Sequence, residues 1–183
     1  MTGDGTDVIR LGHGGGGLLM RALLRDVIGP TVYGDTEGSR PLEDAAVEPA
    51  PPSGRLAFTT DAFVVDPPFF PGGNMGDLAV NGTVNDLAMM GAIPRLLSVA
   101  LIVEEGTAVA TLREILTSLA EASRRVPVRV VAGDTKVVPR GKGDGVYVAT
   151  SGVGEVPEGV HLSAAALEPG DRLVVSGPIG DHG

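Results

Sequence analysis

Between Arg55 and Ala92 an alternating strand pattern gives way, across a proline break, to a helix built almost wholly of small and apolar residues. That succession fixes a sheet with a tightly covered face. Leu56, Phe58 and Thr60 alternate with Ala57, Thr59 and Asp61, which predicts a strand over residues 55–65. Asp66-Pro67-Pro68 stops it, because proline cannot donate to a ladder. Asn74 then offers an N-cap, with Asp77 three residues on. The predicted helix runs from Asn74 to near Gly91, with Pro94 beyond. At about 100° per residue Val80, Val84, Leu87, Ala88 and Gly91 form one stripe.

Two acids in this stretch stand out. Asp86 falls on the far side of the helix, among Ala79, Gly82, Met89 and Met90. A helix that is small or apolar nearly all round is buried. Asp86 is therefore expected in the interior or a cleft, as a site residue or as a structural acid bonded to a neighbouring turn. Asp61 lies inside the strand pattern, where an unpaired buried carboxylate costs several kcal/mol, roughly. Both suggest a metal–nucleotide site. Gly76 and Gly82 each cost roughly 1 kcal/mol in a helix interior, which makes sense if another backbone or a ligand comes close.

The rest of the 183-residue chain supplies more elements. Val8 to Leu11 suggests a short strand. Glycines follow at 12 and 14–17, then an apolar segment, 18–28, of helical spacing. Gly12, Gly14 and Gly17 match the dinucleotide pattern, but no second strand places Asp35 or Glu37 as its acid. No Walker A loop is present. The segment is a flexible linker or a loop whose amides approach phosphate, and His13 within it is expected to face solvent. Residues 29–54 suggest loop, interrupted by an apolar run after Asp44. The unbroken run 96–103 predicts a central strand, and 107–126 an amphipathic helix. Strands are also predicted over 128–138 and 145–156. Asp134 and Lys136 project to one face of the former, as a surface ion pair on an edge strand or as a metal-binding acid and a phosphate-binding amine. The 139–145 loop, with Arg140 and Lys142, is a simple turn or faces phosphate.

Composition excludes several classes. A net charge of −9 argues against a nucleic-acid surface, and a phosphorylated ligand would then come with divalent cations. The absence of cysteine excludes disulfides, thiolate metal sites and a cysteine nucleophile in this chain. The longest apolar run is too short to span a bilayer, and no signal-peptide pattern opens the chain. A cytoplasmic setting is compatible with all of this.

Taken together, Thr59-Thr60-Asp61, the run from Val84 to Ala92, and Ala132-Gly133-Asp134-Thr135 resemble the N-terminal domain of the aminoimidazole-ribonucleotide synthetase (PurM-like) superfamily. Gly12-His13-Gly14, the 43–47 and 63–73 segments, and Lys136 with its continuation to Gly141 bring it nearest to the HypE family of hydrogenase maturation proteins. The resemblance implies an α+β fold, a mixed sheet with helices on one face, paired with a second copy into a barrel-like dimer core. It implies ATP and Mg²⁺, and ATP-dependent dehydration of a C-terminal cysteine S-carboxamide to thiocyanate, the source of cyanide ligands for [NiFe] hydrogenase. By position Asp44, Asp61, Asp86 and Asp134 would be metal ligands. Gly14, Gly15, Thr60, Asp61, Asn85, Thr135 and Lys136 would meet nucleotide or phosphate, and Lys136 and Asp86 are the catalytic candidates. Partners implied are a HypF-like carbamoyl-transferring protein and a HypC–HypD iron scaffold, with neither nucleic acid nor membrane. The alternatives are a docking module without a nucleotide site, or another ATP-using relative such as thiamine-monophosphate kinase. The expected division is a glycine-rich segment over 1–40, the nucleotide domain over 41–156, a linker over 157–170, and the first strand and turn of a truncated second domain over 171–183. The family's carrier cysteine is absent, so these residues by themselves are expected to be inactive.

Overall fold

A computed structural model describes residues 8–34, 54–175 and 177–178. Asp35, Glu37, Asp44 and the apolar run after it, and the residues that follow Pro178, lie outside the described residues.

Four long strands form one mixed sheet. They are β1 (Arg55–Phe63), β4 (Ile93–Glu104), β5 (Arg129–Val138) and β6 (Val146–Val156), in the order β1-β6-β4-β5. β6 is antiparallel to β1 and to β4. β4 and β5 are parallel, joined through α3 (Val109–Arg125) as a parallel pair requires. A two-residue hairpin, β2 (Phe69–Phe70) and β3 (Gly73–Asn74), leads into α2 (Met75–Met89). α1 (Leu18–Leu23) runs into a wider π-helical stretch, Leu24–Tyr33.

Both long helices cover the same face of the sheet. Along β6 every second residue is buried, and Val148, Thr150 and Gly152 look toward α2. Leu97, Val99, Leu101 and Val103 of β4 join them, and α3 adds Leu112, Ile115, Leu116 and Leu119, all buried. The opposite face is open. There Leu56 and Phe58 are 63% and 71% exposed, and Ile102 is 40% exposed.

The close approach expected at Gly76 is to another helix. A Cβ there would overlap the Ile115 carbonyl oxygen and lie 2.8 Å from the Leu119 amide nitrogen of α3. At Gly82 the neighbours are the Phe63 ring and the Asp61 carboxylate, 2.9 and 3.3 Å from where a Cβ would stand. Asn74 caps α2 as its sequence indicates, accepting the Gly76 amide at 2.8 Å. Gly91 beyond the helix adopts φ +70.

In the core, the hydroxyls of Thr83 and Thr150 lie 2.5 Å apart, joining α2 to β6. Thr83→Val strands the buried Thr150 hydroxyl and is expected to cost about 1–3 kcal/mol in urea unfolding. The double Thr83→Val/Thr150→Val chain, with neither hydroxyl, should regain most of it.

The structure departs from sequence expectation in several places. Val8 makes only an isolated bridge to Ala108, and Leu11 already begins a 3-10 turn, Leu11–Gly14. Helix continues past Ile28 to Tyr33 as the π-helical stretch, with Pro30 inside it. Residues 171–175 form no strand: none of the described residues pairs with them, and Leu173 and Val174 are almost fully exposed. The linker contains one short 3-10 turn, Ala164–Ala166.

Candidate functional site

α2 lies over β1 and brings the two acids of the opening stretch together. The Thr59 hydroxyl donates to the Asp86 carboxylate at 2.9 Å. The Asp61 carboxylate accepts the Ala62 amide at 2.8 Å and stands against Gly82, one helical turn before Asp86. Glycine at 82 leaves that carboxylate its space. The expected burial of Asp86 is not found: Asn85, Asp86, Ala88, Met89 and Met90 are exposed. The buried side of α2 is the one with Ala79, Val80, Thr83, Val84 and Leu87; Asp86 meets β1 only at its rim, through Thr59. Asp61 is half-buried and Asp86 exposed. Neither has a cationic partner among the described residues.

Asp134 and Lys136 lie elsewhere. The register runs Asp61–Thr150–Val99–Gly133 across the sheet, on the helix-covered face. Asp134 and Lys136 alternate onto the open face of β5, an edge strand, about 14 Å from β1 at roughly 4.8 Å per strand. Their side chains form an exposed ion pair at 3.0 Å. The hydrogen bond from Lys136, aided by the Thr135 amide at 2.8 Å, holds the Asp134 carboxyl below its ordinary value of 3.8. A lowered folded value means that the pair persists above that pH and is lost as pH falls through the folded pKa. A carbon-detected NMR titration should place the Asp134 midpoint below 3.8, and Lys136→Met should raise it.

The remaining candidates divide between the two faces. Thr60 is on the open face, donating to the Thr150 carbonyl at 2.9 Å. Thr135 is buried on the covered face. Gly14 packs its backbone against Val137, so close that a Cβ would lie 2.7 Å from the Val137 nitrogen, and this brings the glycine-rich segment to β5. The Gly15 amide bonds to the Gly12 carbonyl at 3.3 Å. His13 is buried, contrary to expectation, because its Nδ1 turns inward to accept the Arg10 amide at 2.9 Å.

Among the described residues no three acidic or histidine side chains converge. Asp61 and Asp86 are the acids that share a place, and two carboxylates suit Mg²⁺, which completes its shell with water and phosphate oxygens.

The sequence pattern of the AIR synthase related protein, N-terminal domain, matches residues 42–156. The chain belongs to the AIR synthase related family. Carbamoyl dehydratase HypE of Rhodobacter capsulatus is 51% identical over 177 residues, covering 96% of this chain and 51% of that protein. A crystal structure of hydrogenase maturation protein HypE in complex with ATP superposes with a TM-score of 0.72 at 42% identity, covering 81% of this chain and 43% of that one. The structure of a HypE–HypF complex gives 0.58 at 45% identity, covering 79% and 44%. This AIR synthase related chain thus spans about half the length of the curated relatives it matches. Its α+β fold, with a mixed sheet and helices, is the one those relatives share.

Glu104 carried no functional signal in the sequence, where it simply ended a strand. Its carboxylate accepts the amides of Gly141 and Gly145, 37 and 41 residues on. No local pattern encodes such a contact.

Proposed function

We propose that this chain is the ATP- and Mg²⁺-binding half of a HypE-type carbamoyl dehydratase. The observation that carries it is the proximity of Asp61, half-buried, and Asp86, exposed, across β1 and α2, with no cationic partner among the described residues. A relative of the same fold in complex with ATP supports it. Asp61 and Asp86 would hold Mg²⁺, which neutralises phosphate charge when bound. Asn85 adjoins Asp86 on α2, whereas Thr60 lies on the open face of β1. Asp44 would join the same metal set.

The reaction proposed for the whole protein dehydrates a cysteine S-carboxamide. The carbamoyl oxygen attacks the γ-phosphorus and ADP leaves. The phosphorylated oxygen then departs as phosphate while the nitrogen loses its protons, leaving the thiocyanate. The sequence holds no cysteine, so the carrier lies outside these 183 residues. Lys136, held by Asp134 on the open face, would serve the phosphates or the activated oxygen; Gly14, with Gly15 next to it, packs beside β5, while Thr135 turns to the covered face.

The two groups of candidates lie on opposite faces of one sheet, so one chain does not bring them together directly. The exposed apolar side chains of the open face support a homodimer, in which a second copy covers Leu56, Phe58 and Ile102. A HypF-like partner is supported by the HypE–HypF relative, and the HypC–HypD scaffold follows from the same reading. No helix among the described residues is long and apolar enough to cross a membrane, which fits cytoplasmic maturation.

Isothermal titration with ATP, with and without Mg²⁺, tests the nucleotide reading. Saturable binding that requires Mg²⁺ is expected. A folded chain that binds no nucleotide overturns the assignment of this half.

A further inference from the structure

The turn that follows β4 holds two loops at once. Glu104 ends the strand, and its carboxylate accepts the amide of Gly141 and, at 3.1 Å, that of Gly145. The Glu104 amide returns a bond to the Gly145 carbonyl at 2.7 Å, and the Glu105 amide bonds to the Val138 carbonyl at 2.9 Å. The Arg140 guanidinium folds over Gly106, its Cζ 3.0 Å from where a Cβ would stand. The other side of the same turn grips the amino-terminal segment. Gly106 donates to the Ile9 carbonyl and Ile9 to the Thr107 carbonyl, both at 2.7 Å. The Leu11 amide reaches the Glu105 carboxylate at 3.3 Å. The basic 139–145 loop and the residues that lead into the glycine-rich segment, Ile9 and Leu11, are therefore anchored to one turn, Glu104 to Thr107.

We propose that Glu104 is a positioning residue of the nucleotide site, and that the Glu104-Glu105-Gly106 turn couples the two loops so that they hold or release a polyphosphate together. This rests on the nucleotide reading given above. The turn stands at the carboxyl ends of the parallel pair β4 and β5, the end at which open sheets receive ligands. It carries Arg140 and Lys142 on one loop and Arg10 beside the other, and Glu104 and Glu105 are themselves engaged by backbone amides. Two loop amides that bind separate oxygens need a carboxylate. Glutamine offers one acceptor and sets its own NH₂ against the second donor. The carboxylate is solvent-accessible, so its work is to fix the loop's geometry rather than to build the core.

Amide hydrogen exchange and MgATP titration of the 183-residue chain test this. Glu104→Ala should speed exchange at Gly141 and Gly145 about tenfold, and at Ile9 and Leu11 about threefold through the shared turn. Exchange in α2 and β6 should not change. Glu104→Gln should fall between, and it keeps one acceptor if the alanine variant does not fold. MgATP affinity should drop about tenfold in Glu104→Ala, as expected when the competent loop conformation is populated a tenth of the time. Arg140→Met should weaken binding as well, and the double variant should be no worse than Glu104→Ala, since both act through one loop. Exchange that rises at 141 and 145 alone overturns the coupling. Unchanged MgATP affinity in a folded Glu104→Ala chain overturns the positioning role. A parent chain that binds no MgATP overturns the nucleotide reading instead, while the exchange measurements still decide the coupling.

Discussion

Gly76→Ala is expected to destabilise the chain by about 3 kcal/mol, although Gly→Ala in an ordinary helix interior stabilises by roughly 1 kcal/mol. The sign reverses because α2 and α3 meet backbone to backbone at this position. An added Cβ would overlap the Ile115 carbonyl oxygen and sit 2.8 Å from the Leu119 amide nitrogen. Neither atom belongs to a side chain that can rotate away. Relief requires the helices to separate, and separation loosens Leu112, Ile115, Leu116 and Leu119, which are all essentially inaccessible to solvent. Dense packing transmits such a shift instead of absorbing it. Urea unfolding of the variant against the parent reads the change directly. A midpoint that stays in place or rises would show that the two helices are not in contact as described.

The second large effect is functional. Asp61→Asn with Asp86→Asn is expected to lower ATP affinity in the presence of Mg²⁺ by on the order of 100-fold, since two carboxylates are the charge that a hard cation needs. Without Mg²⁺ the sign should reverse: removing two negative charges weakens repulsion of the free nucleotide, so its affinity should hold or improve slightly. Stability should change little, because Asp86 is exposed and an asparagine there still accepts the Thr59 hydroxyl through its carbonyl oxygen. Titration calorimetry with and without Mg²⁺, together with an unfolding midpoint, separates the possibilities. A structural role for these acids predicts the opposite pattern, a lowered midpoint and no Mg²⁺-specific loss.

Much of the architecture was legible along the chain. The alternation at Leu56, Phe58 and Thr60, the unbroken run into Val103 and the amphipathic pattern of α3 each reflect burial on a local period, and each element formed where its period lay. Asn74 as a cap and Gly91 as a helix end are likewise local, set by backbone geometry within one turn. The failures share a different cause. Asp86 sat among small neighbours and suggested burial, yet exposure depends on how far a neighbour covers that side of α2, and β1 reaches it at Gly82 and touches Asp86 only through the Thr59 hydroxyl. His13 suggested a solvent-facing loop residue, yet its ring turned inward to take an amide three residues away.

The candidate site divides in the same way. The residue types came from sequence: acids at 61, 86 and 134, a lysine at 136, glycines at 14 and 15. Their grouping did not. Asp61 and Asp86 meet because α2 folds back over β1, and Glu104 reaches Gly141 and Gly145 because β5 and β6 return beside β4. Asp134 and Asp61 occupy neighbouring rows of one sheet but opposite faces, because side chains alternate along a strand and the register sets which parity faces the helices. The strand-and-helix stretch from 55 to 92 by itself determined a covered sheet and its two acids, since periodicity and capping are short-range. Which acids share a face was decided only by the pairing of strands far apart in the chain, because hydrogen-bond register is a property of two segments at once.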